Sequence, residues 1–247
     1  FSQAFSQCST TLPSHLSLLT SRYPTKTWLF WESADVEAST EALSETLKRH
    51  GYRTAGFTSV VGWPLFQPLI KSRAFQAFDR LVGEVSFAAL SEKLFRWLRK
   101  HRDKPFFLFL HGNDAHDPHV LPIRYDAKRF NPTYRGGLVG VSTEMEELIT
   151  SSLPSGEPAY WSTWEPWDMS REVYLKHLGV RDGMHPDDLE HLKALYDAQL
   201  YYLDQGLGEF FVALKNLNLM ERTLIVIISD HGQSFGEHGD YAAHDQL

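Results

Sequence analysis

Three short stretches carry side chains fit for chemistry: TLPSH at 11–15, NDAHDPH at 113–119 and SDHGQSFGEHGDYAAH at 229–244. In the last, Asp230 and His231 set a carboxylate beside an imidazole, a donor pair suited to a divalent cation. His238 and His244 follow His231 by seven and thirteen residues in a glycine-punctuated loop able to fold back over the same place. Thr11 has two readings. It precedes Leu12, Leu16 and Leu19, an i, i+4, i+7 row marking one helix face, and Pro13 suits a first turn, so Thr11 can be a helix cap. A hydroxyl at a helix N-terminus also faces free amides and the positive end of the dipole, where a phosphate or sulfate is held, so Thr11 can instead be a nucleophile.

Positioning these groups requires a scaffold, and the chain supplies one by alternation. Helical spacing over 36–49 is followed by a glycine stop and the run GYRTAGFTSV; Leu90, Leu94, Trp97 and Leu98 form a second helical face before Pro105 and an apolar strand ending near His111. A third helix is expected from Pro186 to Leu219 along the row Leu189, Leu192, Tyr196, Leu200, Leu203, Leu207, Phe210 and Leu214, with Gly206 and Gly208 marking a place for a kink. RTLIVIISDHG then reads as a buried strand. Helices alternating with continuously apolar strands predict an α/β fold, a largely parallel sheet covered by helices on both faces. Ligands collect at the carboxyl ends of such strands, and here those ends carry Asn113, Asp114 and His116 in one place and Asp230 and His231 in another.

The chain of 247 residues is 43% hydrophobic and 22% charged, in keeping with one domain that has a sizeable core. Its net charge of −7, with acids and bases interspersed, argues against a broad nucleic-acid-binding face. Nucleic acid is therefore not expected as a partner. The single cysteine, Cys8, excludes a disulfide within these residues. The longest apolar runs, near Phe106–Leu110 and Leu224–Ile228, fall far short of the roughly 18 residues of a membrane span. Between about 118 and 181 the periodicity fades, which predicts an irregular insertion within a single domain over 1–247. There Trp161, Trp164 and Trp167 either pack on the body or stack on a sugar or aryl group.

In order and spacing, TLPSHLSLLTSRYP, GYRTAGF, PFFLFLHGNDAHDPH, the long YDAQLYYLDQ…IVIISDHGQSFGEHG stretch and the closing HDQL resemble the sulfatase family within the alkaline phosphatase superfamily. The resemblance implies an alkaline phosphatase-like sheet, truncated at both ends, and a metal-dependent hydrolase of sulfate or phosphate esters on small molecules, glycans or lipids. It implies Thr11 as the nucleophile touching the metal, Asp230 and His231 as metal ligands, and His15, His116 and His244 as substrate-binding residues, with His116 and His244 also assisting catalysis. The cofactor is expected to be a divalent ion, with Ca, Mn, Mg and Zn all open. Family habit implies an exported or membrane-facing location.

The departures sharpen the expectation. Formylglycine forms from a cysteine or serine, so a threonine favours direct esterification of its hydroxyl. His15 stands where such sulfatases carry arginine, Cys8 lies three residues early, and Ser59 and Val61 occupy the positions of a lysine–histidine anion clamp. Family members place one or two metal-binding aspartates on a strand upstream of the nucleophile, so the chain is expected to be part of a longer protein. Two alternatives stay open: a transferase of phospho-substituents in the same superfamily, and a catalytically silent sulfatase-like domain.

Overall fold

The computed structural model describes residues 4–24, 40–58, 75–80, 92–112, 114–116, 127–136 and 186–235. Ser59, Val61, Asn113, His238, His244, the three tryptophans of 161–167 and all of the expected insertion except 127–136 lie outside the described residues.

The sheet is built on β1 (Arg53–Thr58), flanked by β2 (Ala77–Arg80) and β3 (Phe106–His111), all parallel in the order β2–β1–β3. The register pairs Arg53 with Phe106 and Thr58 with His111. Because side chains alternate between faces, Ala55 and Phe57 on β1 and Phe106, Leu108 and Leu110 on β3 share one face, while Thr54, Thr58, Phe107, Phe109 and His111 share the other.

The first face meets helices α3 (Glu92–His101) and α4 (Pro186–Asn216). Ala55, Phe57, Leu94, Leu98, Phe210, Leu214 and Leu219 form its core. Leu94 and Leu98 are fully buried, each worth about 1.5–3 kcal/mol against exposure. The opposite face meets α1 (Thr11–Thr20), whose His15 ring lies 5.6 Å from Phe109 and 4.6 Å from His111, centroid to centroid. Leu12, Leu16 and Leu19 are buried along α1, as their spacing predicted.

Glycine shapes two junctions. Helix α2 (Leu43–Arg49) ends where Gly51 takes φ +86°, and Tyr52 N–H donates to Leu47 O at 3.1 Å while Gly51 N–H donates to Lys48 O at 3.0 Å. These are the two closing bonds of a left-handed helix cap, and they turn the chain into β1. On β1, a Cβ at Gly56 would stand 2.5 Å from Phe78 ring carbons of the adjacent strand. Gly56→Ala is accordingly expected to force that ring aside and cost about 1–3 kcal/mol; a urea midpoint equal to that of the unmodified chain would refute the close approach.

Two expectations need revision. Helix α4 continues through Gly206 and Gly208, and its buried residues include Leu192, Phe210 and Leu214 of the expected row together with Ala194, Leu195, Ala198, Tyr202 and Gly206 beside it. The row is thus only partly the buried face: Leu200, which belongs to it, is 39% exposed, whereas Tyr202, which does not, is 8% exposed. Second, Leu224–Ile228 forms no strand and pairs with no other backbone among the described residues. Leu224 is 90% and Ile228 53% exposed, and only Ile225 packs on the core. A strand exists only where a neighbour supplies its ladder, so among the described residues Asp230 follows a segment without ladder partners.

Residues 127–136 dock on α4: the Tyr134 ring stacks on His191 at 3.8 Å, its hydroxyl donates to Asp188 at 2.5 Å, and the Arg129 guanidinium sits 4.2 Å above the Tyr201 ring. Among the described residues no helix is long and apolar enough to cross a membrane.

Candidate active site at the carboxyl end of the sheet

Thr11 opens α1, but Thr10 occupies the capping position, with extended backbone and no side-chain cap bond. The cap reading of Thr11 therefore fails, since its hydroxyl is turned elsewhere: Oγ1 lies 3.2 Å from Nε2 of His231, across 220 residues of sequence. His231 Nδ1–H donates to the Gly232 carbonyl at 2.9 Å, which places the lone pair of the neutral ring on Nε2, toward Thr11.

Asp230 is held from several sides. Its carbonyl accepts hydrogen bonds from the hydroxyls of Ser6 and Ser14, and its Oδ1 accepts the His231 N–H at 3.1 Å. Its Oδ2 lies 3.5 Å from His231 Nε2 and 3.6 Å from His15 Nδ1. His15 is 3% exposed, and its Nδ1–H donates to the Thr11 carbonyl at 2.8 Å, the spacing that one helical turn provides. Beneath it, His111 ends β3, and its Nδ1 meets the Thr58 hydroxyl at 3.2 Å because register and face both match.

The electrostatics follow from crowding. His111 retains some surface, yet its imidazole is enclosed by protein; that desolvation, with His15 beside it, overrides the attraction of Asp230 and lowers its pKa to about 3. Burial likewise lowers His15 despite Asp230 and the Thr11 carbonyl. Desolvation alone would raise the Asp230 carboxyl, but His231, His15 and His111 together hold it below its ordinary range.

The two depressed histidines give a pH prediction. Between about 3 and the ordinary 6.5 of His111, the unfolded chain binds a proton that the folded chain refuses. Stability is thus present above 6.5 and is lost as pH falls through this window, by about 1.4 kcal/mol per unit for each fully mismatched proton. Urea midpoints measured in chelator should fall between pH 7 and pH 5, and His111→Asn should flatten the fall; equal midpoints would contradict it.

Of the expected site residues, the structure brings Thr11, His15, Asp230 and His231 together. His116 sits at the rim, its ring centroid 6.5 Å from that of His231 and its carbonyl 3.4 Å from the Gln199 amide nitrogen, which donates to it. His244 lies outside the described residues. Sequence reasoning passed over His111 and Ser14. His111 had a signal, as a polar residue closing an apolar strand; Ser14 had none, because its role depends on the distant Asp230 carbonyl.

The donor set fits a divalent cation. Ligand atoms on an ion with bonds of about 2.0–2.3 Å stand roughly 3–3.5 Å apart, and Thr11 Oγ1, His231 Nε2 and Asp230 Oδ2 are separated along that chain by 3.2 and 3.5 Å.

Comparison with known proteins agrees with this geometry. The sulfatase family model matches residues 1–246. Mouse iduronate 2-sulfatase is 26% identical over an alignment covering all of this chain and 50% of that protein. Human arylsulfatase K is 24% identical over 88% of this chain and 43% of its own length. The chain thus spans about half the length of these curated relatives. Among solved structures, BT4656, determined with its substrate D-glucosamine-2-N,6-O-disulfate, superposes with a TM-score of 0.66 at 17% identity, covering 98% of this chain and 60% of the other. The phosphonate monoester hydrolase of Agrobacterium radiobacter gives a TM-score of 0.60 at 19% identity over 95% of this chain and 55% of the other. At such identities these two superpositions establish the alkaline phosphatase-like fold.

Proposed function

Because this chain belongs to the sulfatase family, we propose that it carries the nucleophile-bearing part of a cation-dependent hydrolase of sulfate or phosphate esters, with Thr11 as nucleophile. The observation that carries this reading is the 3.2 Å approach of the Thr11 hydroxyl to His231 Nε2, next to the Asp230 carboxylate. A structural threonine has no need of that arrangement; a nucleophile requires an activating partner at such a distance.

Asp230, His231 and Thr11 are the residues that would hold the divalent cation. When bound there, it supplies positive charge that favours the threonine alkoxide and neutralises oxygens of the transferring group. Without the ion, the Thr11 Oγ1–H faces the lone pair of His231 Nε2; with the ion held there that lone pair would go to the ion, and the Thr11 proton would be lost to solvent as the alkoxide forms. Thr11 Oγ1 attacks sulfur or phosphorus in line, the bond to the ester oxygen breaks, and that oxygen leaves with a proton. In this reading His116, whose ring lies 6.5 Å from that of His231, supplies that proton, with His244 as its proposed companion. Water then attacks the threonyl ester and releases sulfate or phosphate, restoring the hydroxyl. His15, enclosed beside Asp230, contributes from beneath the site by fixing the Thr11 carbonyl and facing the carboxylate. Threonine carries a methyl group on Cβ, so oxidation there would give a ketone and not the aldehyde that serine or cysteine yields, and the covalent species is a simple ester.

Acid quenching during turnover of an aryl phosphate or aryl sulfate tests the proposal. Peptide mass spectrometry should find a phosphoryl or sulfuryl increment on the peptide containing Thr11. Turnover with the increment on another residue would reject Thr11 as nucleophile.

A further inference from the structure

Among the described residues, His15, His111 and Asp230 are a grouping of donors whose ligand atoms all lie within 4.8 Å of one another. They come from three separate elements: α1, the end of β3 and the loop after 228. We propose that these three residues form a nitrogen-rich cation site, with His111 as a ligand, and that the ion it selects is zinc or a similar borderline metal.

Three observations support it. The first is orientation. His15 Nδ1–H is pinned on the Thr11 carbonyl at 2.8 Å, so the lone pair of the neutral ring lies on Nε2, and His111 Nδ1 is anchored by the Thr58 hydroxyl at 3.2 Å. Metal-binding histidines are normally held this way, one ring nitrogen fixed by a neighbouring polar group and the other presented to the ion. The second is proximity: one ligand atom from each of His15, His111 and Asp230 lies within 4.8 Å of the others, and the His15 and His111 ring centroids are 4.6 Å apart with the rings inclined at 73°. An ion drawing these atoms to the roughly 3.3 Å separations of tetrahedral coordination would shorten distances that are already below 4.8 Å. The third is the donor chemistry. Two imidazoles and one carboxylate match zinc, manganese or iron, whereas calcium takes six to eight oxygens, more than these three residues offer.

The site shares Asp230 with the Thr11–His231 side but not Thr11 itself. Its occupancy is therefore separable from ester hydrolysis. Thr11→Ala should abolish turnover and leave zinc binding intact, while persistence of turnover in that variant would defeat the nucleophile and say nothing against the cation site.

Metal binding by the whole chain provides the test. Titration with Zn2+ alone, followed by calorimetry, should show His111→Gln and His15→Gln weakening binding at least about a hundredfold, with a tenfold or smaller effect of His231→Gln. Excess Ca2+ should not displace the zinc. In a Cys8→Ser background, His111→Cys loaded with Co2+ should gain a thiolate-to-cobalt charge-transfer absorption absent from the parent, and His15→Cys should do the same. That band reports direct contact with the ion and does not depend on comparing affinities. Absence of the band in both cysteine variants, or His231→Gln removing zinc binding while His111→Gln leaves it unchanged, overturns the proposal.

Discussion

Thr11→Ala is expected to lower turnover of aryl phosphate and aryl sulfate esters by about a thousandfold or more, with little change in substrate affinity. The effect is large because Thr11 is the proposed nucleophile, and removing a nucleophile deletes the bond-forming step itself. Thr11→Ser should keep a substantial part of the activity, since it retains the hydroxyl 3.2 Å from His231 Nε2 and loses only the methyl group. Alanine is not expected to unfold the protein: the capping position belongs to Thr10, and the helix is anchored by Leu12, Leu16 and Leu19. Steady-state kinetics together with circular dichroism decide the matter. Unimpaired turnover by the alanine variant would move the chemistry elsewhere in the site.

Asp230→Asn is expected to have the second largest effect. The substitution keeps the shape of the side chain and leaves the backbone carbonyl that Ser6 and Ser14 hold, so the loop should stay in place. What disappears is the negative charge that faces His231 and His15 at 3.5 and 3.6 Å. With it goes the one carboxylate described among the donors, and neutral amide oxygen is a far weaker ligand. Divalent-ion affinity should fall by about a hundredfold or more, and turnover should fall with it at limiting metal. Elemental analysis of the purified variant and metal titration provide the readouts. Retention of stoichiometric metal by Asp230→Asn would show that other residues hold the ion.

The exposed run after α4 bears on how such experiments are carried out. Leu224, Val226, Ile227 and Ile228 are exposed apolar side chains close together in the chain, a surface prone to association. Detergent or a soluble fusion is therefore a sensible precaution when the 247 residues are handled alone.

The sequence by itself determined the α/β alternation, the buried row of α1, the glycine that ends α2 and the parallel strands at 53–58 and 106–111. Each depends on contacts within about one turn or one strand, or on a backbone angle that a single residue type favours. It also pointed to Thr11, Asp230 and His231, through the order and spacing of the motifs that resemble the sulfatase family, since each residue taken alone has an ordinary cap or surface reading.

Only the tertiary structure decided that Thr11 and His231 meet, since no local rule relates residues separated by 220 positions. It alone showed His111 beside His15, a proximity created by stacking α1 on the odd-numbered face of β3. It also buried Ala198, Tyr202 and Gly206 of α4 while exposing Leu200, and left 224–228 without a ladder among the described residues, because burial and strand pairing are properties of the neighbours an element finds. The same reason explains Ser14: a hydroxyl one turn into a helix gains its purpose only when the Asp230 carbonyl arrives from the far end of the chain.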